Sequence, residues 1–185
     1  MSGALDALRR RRSHSKVTGA APTHEELAEL VAALASLADH SGLRPWRLIE
    51  LRGEDRDRLG EALAEAEGKD REKYVAKARR APLVLAVVVS PVESRKVPAW
   101  EQEAVASGAA HLLELLLDEA GWGVMWRTGL QARSGPVHRA HRLAPEEYLL
   151  GWLYIGGVED RGGRGGKDKP RAPLDLSKHL TALEP

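Results

Sequence analysis

Trp100 to Ala120 is the stretch that most limits what this chain can fold into. Val105, Gly108, Ala109, Leu112, Leu113, Leu115, Leu116 and Leu117 fall on nearly every side of a helix. The segment therefore predicts a central helix, buried around most of its circumference. Such a helix needs neighbours on several sides, and 185 residues suffice for one compact domain around it rather than two. Gly121 follows at the place of a C-terminal stop.

The neighbours can be read in turn. Leu83 to Val89 is continuously aliphatic and rich in β-branched residues, the composition of a strand buried on both faces. Ser2 to Arg12 predicts a short opening helix, capped by Ser2 and closed by the basic run Arg9 to Arg12. Thr23-His-Glu-Glu26 has capping-box spacing, and Leu27, Leu30, Val31, Leu34 and Leu37 recur at helical intervals after it. Trp46 to Leu51 predicts a strand. Gly53 to Arg80 is highly charged over a thin stripe of Leu59, Leu63, Ala66 and Tyr74, which predicts one or two solvent-facing helices. Gly123 to Arg127 predicts a third strand, Ser134 to Leu143 a short helix, and Tyr148 to Val158 a long fourth strand. Arg161 to Gly166 predicts a flexible linker and 167–185 an extended tail within the same single domain, 1–185. This order predicts a layered α/β or α+β domain around one central sheet.

Several function classes are excluded early. The 28 basic and 27 acidic residues leave a net charge of +1, which argues against a dedicated nucleic-acid binder. The absence of cysteine excludes disulfides, thiolate nucleophiles and thiolate-ligated metals. Pro82 to Val89 is too short to span a bilayer, and the start has no apolar signal core, so the expectation is a soluble cytoplasmic protein. No P-loop, nucleophile elbow, His-Glu-x-x-His or dinucleotide fingerprint is present. His138 and His141 share a helix face without a third ligand nearby, so solvation at the surface is expected and no metal.

The residues that suggest binding lie at the ends and in two loops. Arg9 to Arg12, followed by Ser13 and Ser15, offers guanidinium forks beside hydroxyls, a donor set suited to a dianionic phosphate. Lys167-Asp-Lys-Pro-Arg171 is a second basic group, so the two ends can clamp one phosphate. The loops Asp39 to Trp46 and Gly121 to Gly129 each join polar donors to an indole, which suits a flat heterocycle with a polar edge.

With those residues in order, the chain resembles the nitroreductase family of FMN-dependent oxidoreductases, in its short NAD(P)H nitroreductase subgroup. The likeness rests on Arg11-Arg-Ser-x-Ser15, Pro22 to Leu27, Asp39-His40, Arg44-Pro-Trp46, Lys96-Val-Pro-Ala-Trp-Glu-Gln102, Gly121 to Gly129, and Lys169-x-Arg-x-Pro-Leu174. It implies an α+β, three-layer nitroreductase-like fold, with a central mixed sheet flanked by helices and a C-terminal extension reaching a partner subunit. It implies a homodimer with sites at the interface, no nucleic-acid or membrane partner, and FMN reduced by NAD(P)H in a ping-pong cycle. Electron-poor acceptors such as nitroaromatics, quinones or enones would then be reduced.

Arg11, Arg12, Ser13 and Ser15, with Lys169 and Arg171, match the phosphate and ribityl contacts. His40 and Arg44 match positions that approach the flavin from the partner, and Trp126, Arg127 and Thr128 match the contacts after the central helix. Arg44 and Arg127 are the candidates for tuning the flavin, while Trp46 and Trp100 are the candidates for the substrate wall. Arg44 stands where the family commonly has Gln, and Ser15 with Lys16 where it has Arg or Lys. No side-chain triad is expected, because a flavin carries the hydride chemistry itself. Two rivals remain: a flavin carrier or sensor without turnover, and an arginine-rich arm for nucleic acid or a membrane surface.

Overall fold

The computed structural model describes residues 3–158 and 172–183. Along the chain run α1 (Ala4–Arg10), α2 (His24–Ala33), β1 (Trp46–Leu51), α3 (Asp55–Glu67), α4 (Arg71–Ala78), β2 (Leu83–Val89), α5 (Ala99–Glu119), β3 (Trp122–Arg127), α6 (Gly135–Ala140) and β4 (Tyr148–Gly157). The strands form one sheet in the order β1-β2-β4-β3. Every strand pair in it is antiparallel. The mixed character expected of the sheet is confined to one parallel bridge, between Ser13 and Val124.

β2 sits near the middle of the sheet because all seven of its side chains are apolar. Leu83, Leu85 and Val87 face α5 and pack with Ala109, Ala110, Leu113 and Leu117. Val84, Ala86 and Val88 face the opposite layer, where Leu59, Ala78 and Val137 from α3, α4 and α6 complete a second core. The result is the three-layer α+β arrangement expected. β4 carries a bulge opposite Val87 and Val88. Gly151 sits there at φ +149°, and a Cβ on it would lie 2.4 Å from the Arg127 carbonyl. The bulge reverses the strand's alternation, so Leu149 and Trp152 both join the α3–α6 core.

The helix ends follow from local chemistry. Thr23 and Glu26 form the expected reciprocal capping box on α2. Gly3, not Ser2, holds the N-cap position of α1, and Ser2 lies outside the described residues. Ser134 is at the N-cap of α6 but makes no capping bond; its hydroxyl is buried without a partner. α3 and α4 cross closely at Gly60, where a Cβ would come within 2.5 Å of the Val75 Cα.

Four expectations are corrected. The region 53–80 is not merely solvent-facing, because Leu59, Ala62 and Ala78 are buried in the core against the sheet, and Ala64 and Tyr74 are buried as well. α5 is less enclosed than its composition suggested: its Leu113 side is sealed, but Leu112 is 42% exposed. His141 is buried, not solvated. Its Nδ1 lies 2.8 Å from the Val137 carbonyl, and Trp152 Nε1 donates to its Nε2 at 3.1 Å. Only the neutral ring, protonated on Nδ1, satisfies both contacts, and burial lowers its pKa in the same sense. In the tail, Leu176–Lys178 form a 3-10 turn rather than continuous extended chain. The expected linker, Arg161 to Gly166, lies outside the described residues. Among the described residues, no helix is long and apolar enough to cross a membrane.

Candidate functional site

The segment after α1 is threaded between α5 and β3. Arg10 pairs with Glu119 at 2.5 Å, and the Arg12 amide donates to Asp118 at 3.3 Å. The His14 amide donates to the Val124 carbonyl at 2.8 Å, laying the segment along β3. Thr18 then bonds to Gly157 at the end of β4. These anchors aim Arg11 and Ser13 into a cleft of about 740 Å3, also lined by Leu8, His111, Leu112, Glu114, Leu115 and Trp126. Arg11 Nη1 lies 3.4 Å from the Ser13 hydroxyl and 3.9 Å from Glu114. His111 lies 3.5 Å from the same carboxylate, and its ring stands 4.7 Å from that of Trp126. The Trp126 Nε1 is buried with no hydrogen-bond partner.

The remaining candidates separate into other places. The Arg12 guanidinium donates to the carbonyls of Arg9, Arg10 and Arg11 at 2.9–3.1 Å and so closes the end of α1. Ser15 is exposed. Arg44 and Trp46 line a smaller groove of about 280 Å3 with Asp39 and α2. There the backbone is strained: Ser41 and Arg44 hold φ of 63° and 49°, and the Arg44 amide is fixed by Asp39 at 2.6 Å. His40 pairs with Glu101 at 2.8 Å, beside Trp100, which is 70% exposed. Arg127 and Thr128 line a third pocket, between β3, α3 and α4. Strand alternation sends Arg127 to the sheet face opposite Trp126, so one small group cannot meet both side chains. Lys169 and Arg171 lie outside the described residues.

Sequence reasoning passed over Glu114 and His111 in the large cleft, and Lys77 and Arg80 in the third pocket. The first two had a signal, since a His and a Glu three apart interrupt the otherwise apolar stretch 108–117 of α5.

The comparisons bear on this arrangement. Residues 8–157 match the profile described as the Nitroreductase family. The chain belongs to the nitroreductase family. It is 36% identical over 160 residues to the Escherichia coli (strain K12) protein named "Putative NAD(P)H nitroreductase YdjA", across 83% of this chain and 87% of that one. A Haemophilus influenzae protein named as an NAD(P)H nitroreductase of the same standing is 30% identical over 161 residues, with the same coverage. Among solved structures, a nitroreductase-like family protein from Bacillus cereus superposes with a TM-score of 0.85 at 19% identity, covering 100% of this chain and 98% of that one. A mutant of the FMN and NADPH-dependent nitroreductase NfnB, from a strain given as sphigopyxis sp. HMH, gives 0.75 at 18% identity, covering 99% and 100%. This nitroreductase-family chain is an NAD(P)H-dependent oxidoreductase, with the α+β fold of its structural neighbours.

Proposed function

We propose that the protein binds FMN in the α1–α5–β3 cleft and reduces electron-poor acceptors, such as nitroaromatics, quinones or enones, with NAD(P)H. The observation that carries this reading is the convergence of Arg11, Ser13 and Trp126 on one cleft. Its volume of about 740 Å3 lies within the ~300–1,000 Å3 usual for ligand pockets. When bound, FMN supplies hydride acceptance and donation at the isoalloxazine ring. The chain supplies the hold. Arg11 and Ser13 donate to the phosphate, and Lys169 and Arg171 are proposed to add charge from the tail. Glu114 accepts from hydroxyl groups of the polyol chain, and Trp126 offers a flat apolar wall. Reductant and acceptor use the same open side in turn, which gives ping-pong kinetics.

A second copy completes the site. Glu101, which holds His40, and Glu114, beside Arg11, are thirteen positions apart on α5, or about 20 Å along its axis. Within one chain His40 and Arg44 are therefore remote from the cleft, whereas a partner can bring its own copies to it. Exposed Leu8 and Leu112 at the rim, and Leu174, Leu176 and Leu180 in the tail, supply apolar surface for that contact.

The test is the visible spectrum of the purified protein, with and without added FMN, followed by each nicotinamide under exclusion of oxygen. The expected result is a flavin band that bleaches with NADH or NADPH and recovers with a nitroaromatic. Arg11→Ala should lower FMN affinity at least tenfold. A protein that takes up no FMN overturns the reading, and a stable flavin band that neither nicotinamide bleaches reduces it to a carrier.

A further inference from the structure

We infer that the pocket between α3, α4 and the ends of β3 and β4 is a second binding site, built for a small oxyanion: a phosphate monoester or a carboxylate. Its existence is independent of the FMN reading; only its place in turnover rests on that reading.

Lys77, Arg80 and Arg127 all line this pocket. Among the described residues none of the three is ion-paired. Lys77 lies over the Tyr74 ring at 3.9 Å, and the Arg127 guanidinium lies 5.2 Å from the centre of the Tyr154 ring. The Arg127 Nε is buried with no hydrogen-bond acceptor. Glu67 is the one carboxylate in the lining, and it is already engaged by Lys69 at 2.6 Å and by the Tyr74 hydroxyl.

The neighbouring Arg79 shows the contrast: Asp57 binds its fork through two bonds of 2.5 Å. The chain pairs Arg79 directly with a carboxylate and, among the described residues, gives the three pocket cations no such direct partner. Like charges gathered around a partly buried cavity repel, and an anion reverses the sign of that energy. Burial raises the Tyr154 phenol pKa while Arg127 and Arg80 oppose it, which places both guanidinium charges close to that ring.

Size sets the ligand class. The volume is about 210 Å3, below the ~300 Å3 at which pockets begin to hold a drug-sized molecule. A whole nucleotide is too large, whereas a phosphate or carboxylate group, with part of a ring against Trp152, is not. One source carries that chemistry and is long enough to reach round the sheet edge to a flavin in the other cleft: the extra phosphate monoester that distinguishes NADPH from NADH. Strand alternation puts the pocket across the sheet from the Arg11 cleft, so its anion is not the phosphate held there.

The experiment titrates inorganic phosphate and benzoate into the full-length protein at low salt by calorimetry, and repeats this with the Lys77→Gln/Arg80→Gln double variant. Saturable binding that weakens at least tenfold in the double variant, with recovery in Lys77→Arg/Arg80→Lys, is the expected result. FMN content per chain should be unchanged by the double substitution. In steady-state assays KM should rise at least tenfold, with kcat held, for NADPH but not NADH. The inference is overturned if neither anion binds, if the variant binds both as well as the parent, if the KM for NADPH stays level, or if the variant loses FMN. A protein without flavin that still binds phosphate through these residues would sink the proposed function and leave this site standing.

Discussion

The two layers that sandwich the sheet are built differently. On the α5 side the core is aliphatic, with Leu85, Leu113, Leu117 and Ile155 all fully buried. On the α3–α6 side the sheet carries Trp152 and Tyr154, and His141 at the end of α6 accepts from Trp152. At that layer's edge Glu147 takes two bonds of 2.6 Å from Arg47, one from the Ser90 hydroxyl and one from the Ala144 amide. These bonds hold its carboxyl at a pKa of about 2. The difference teaches where pH can act on this fold. The aliphatic core beneath α5 is a scaffold indifferent to protons, and the opposite layer stores part of its stability in groups that titrate.

The largest expected effect comes from breaking the scaffold. Leu113→Ala should cost ~2–5 kcal/mol, by the same amount at pH 5 and pH 8 in urea unfolding. A cost below about 1 kcal/mol, or one that changes with pH, would erase the contrast. Next is Glu147. Its folded pKa is depressed from 4.5 to about 2, so its contribution is present above pH 4.5 and is lost as the pH falls towards 2. Because Arg47 is 41% exposed, solvent screening reduces this to about 2 kcal/mol, the deficit expected for Glu147→Gln at pH 7. That deficit should shrink in acid; a constant one would mean the charge is not what matters.

His141 sharpens the comparison further. Its folded pKa is also depressed, so the unfolded chain takes up the proton first. Stability should therefore fall as the pH drops below 6.5. His141→Gln should flatten that slope, and a slope that persists would assign it elsewhere. The smallest effect belongs to a cap on the scaffold side: Thr23→Ala should cost about 0.5–1 kcal/mol at any pH, read as a shift in the unfolding midpoint.

Legibility followed the range of the interactions. β1 and β2 emerged at their observed limits, because an uninterrupted aliphatic run and an alternating one each specify a strand locally. The α2 capping box was equally local. His141 was misjudged because its burial depends on Trp152, a partner in another element brought close by the sheet. The separation of Trp126 from Arg127 was hidden because adjacent strand residues look like neighbours in sequence and point to opposite faces, and the separation of Arg11 from Arg44 depends on where distant elements dock. Nothing local announced the positive φ at Arg44, since a residue before proline favours extended backbone.

The short parallel bridge at Ser13 has a consequence for solution behaviour. By bonding to Val124, the stretch behind α1 acts as a gasket over the outer margin of β3, where amides and carbonyls would otherwise invite a foreign strand. The basic residues that ready this stretch for an anionic ligand thus also keep one flank of the sheet closed to self-association. Any change that peels them away should show itself as clumping before it shows itself as lost helix or strand.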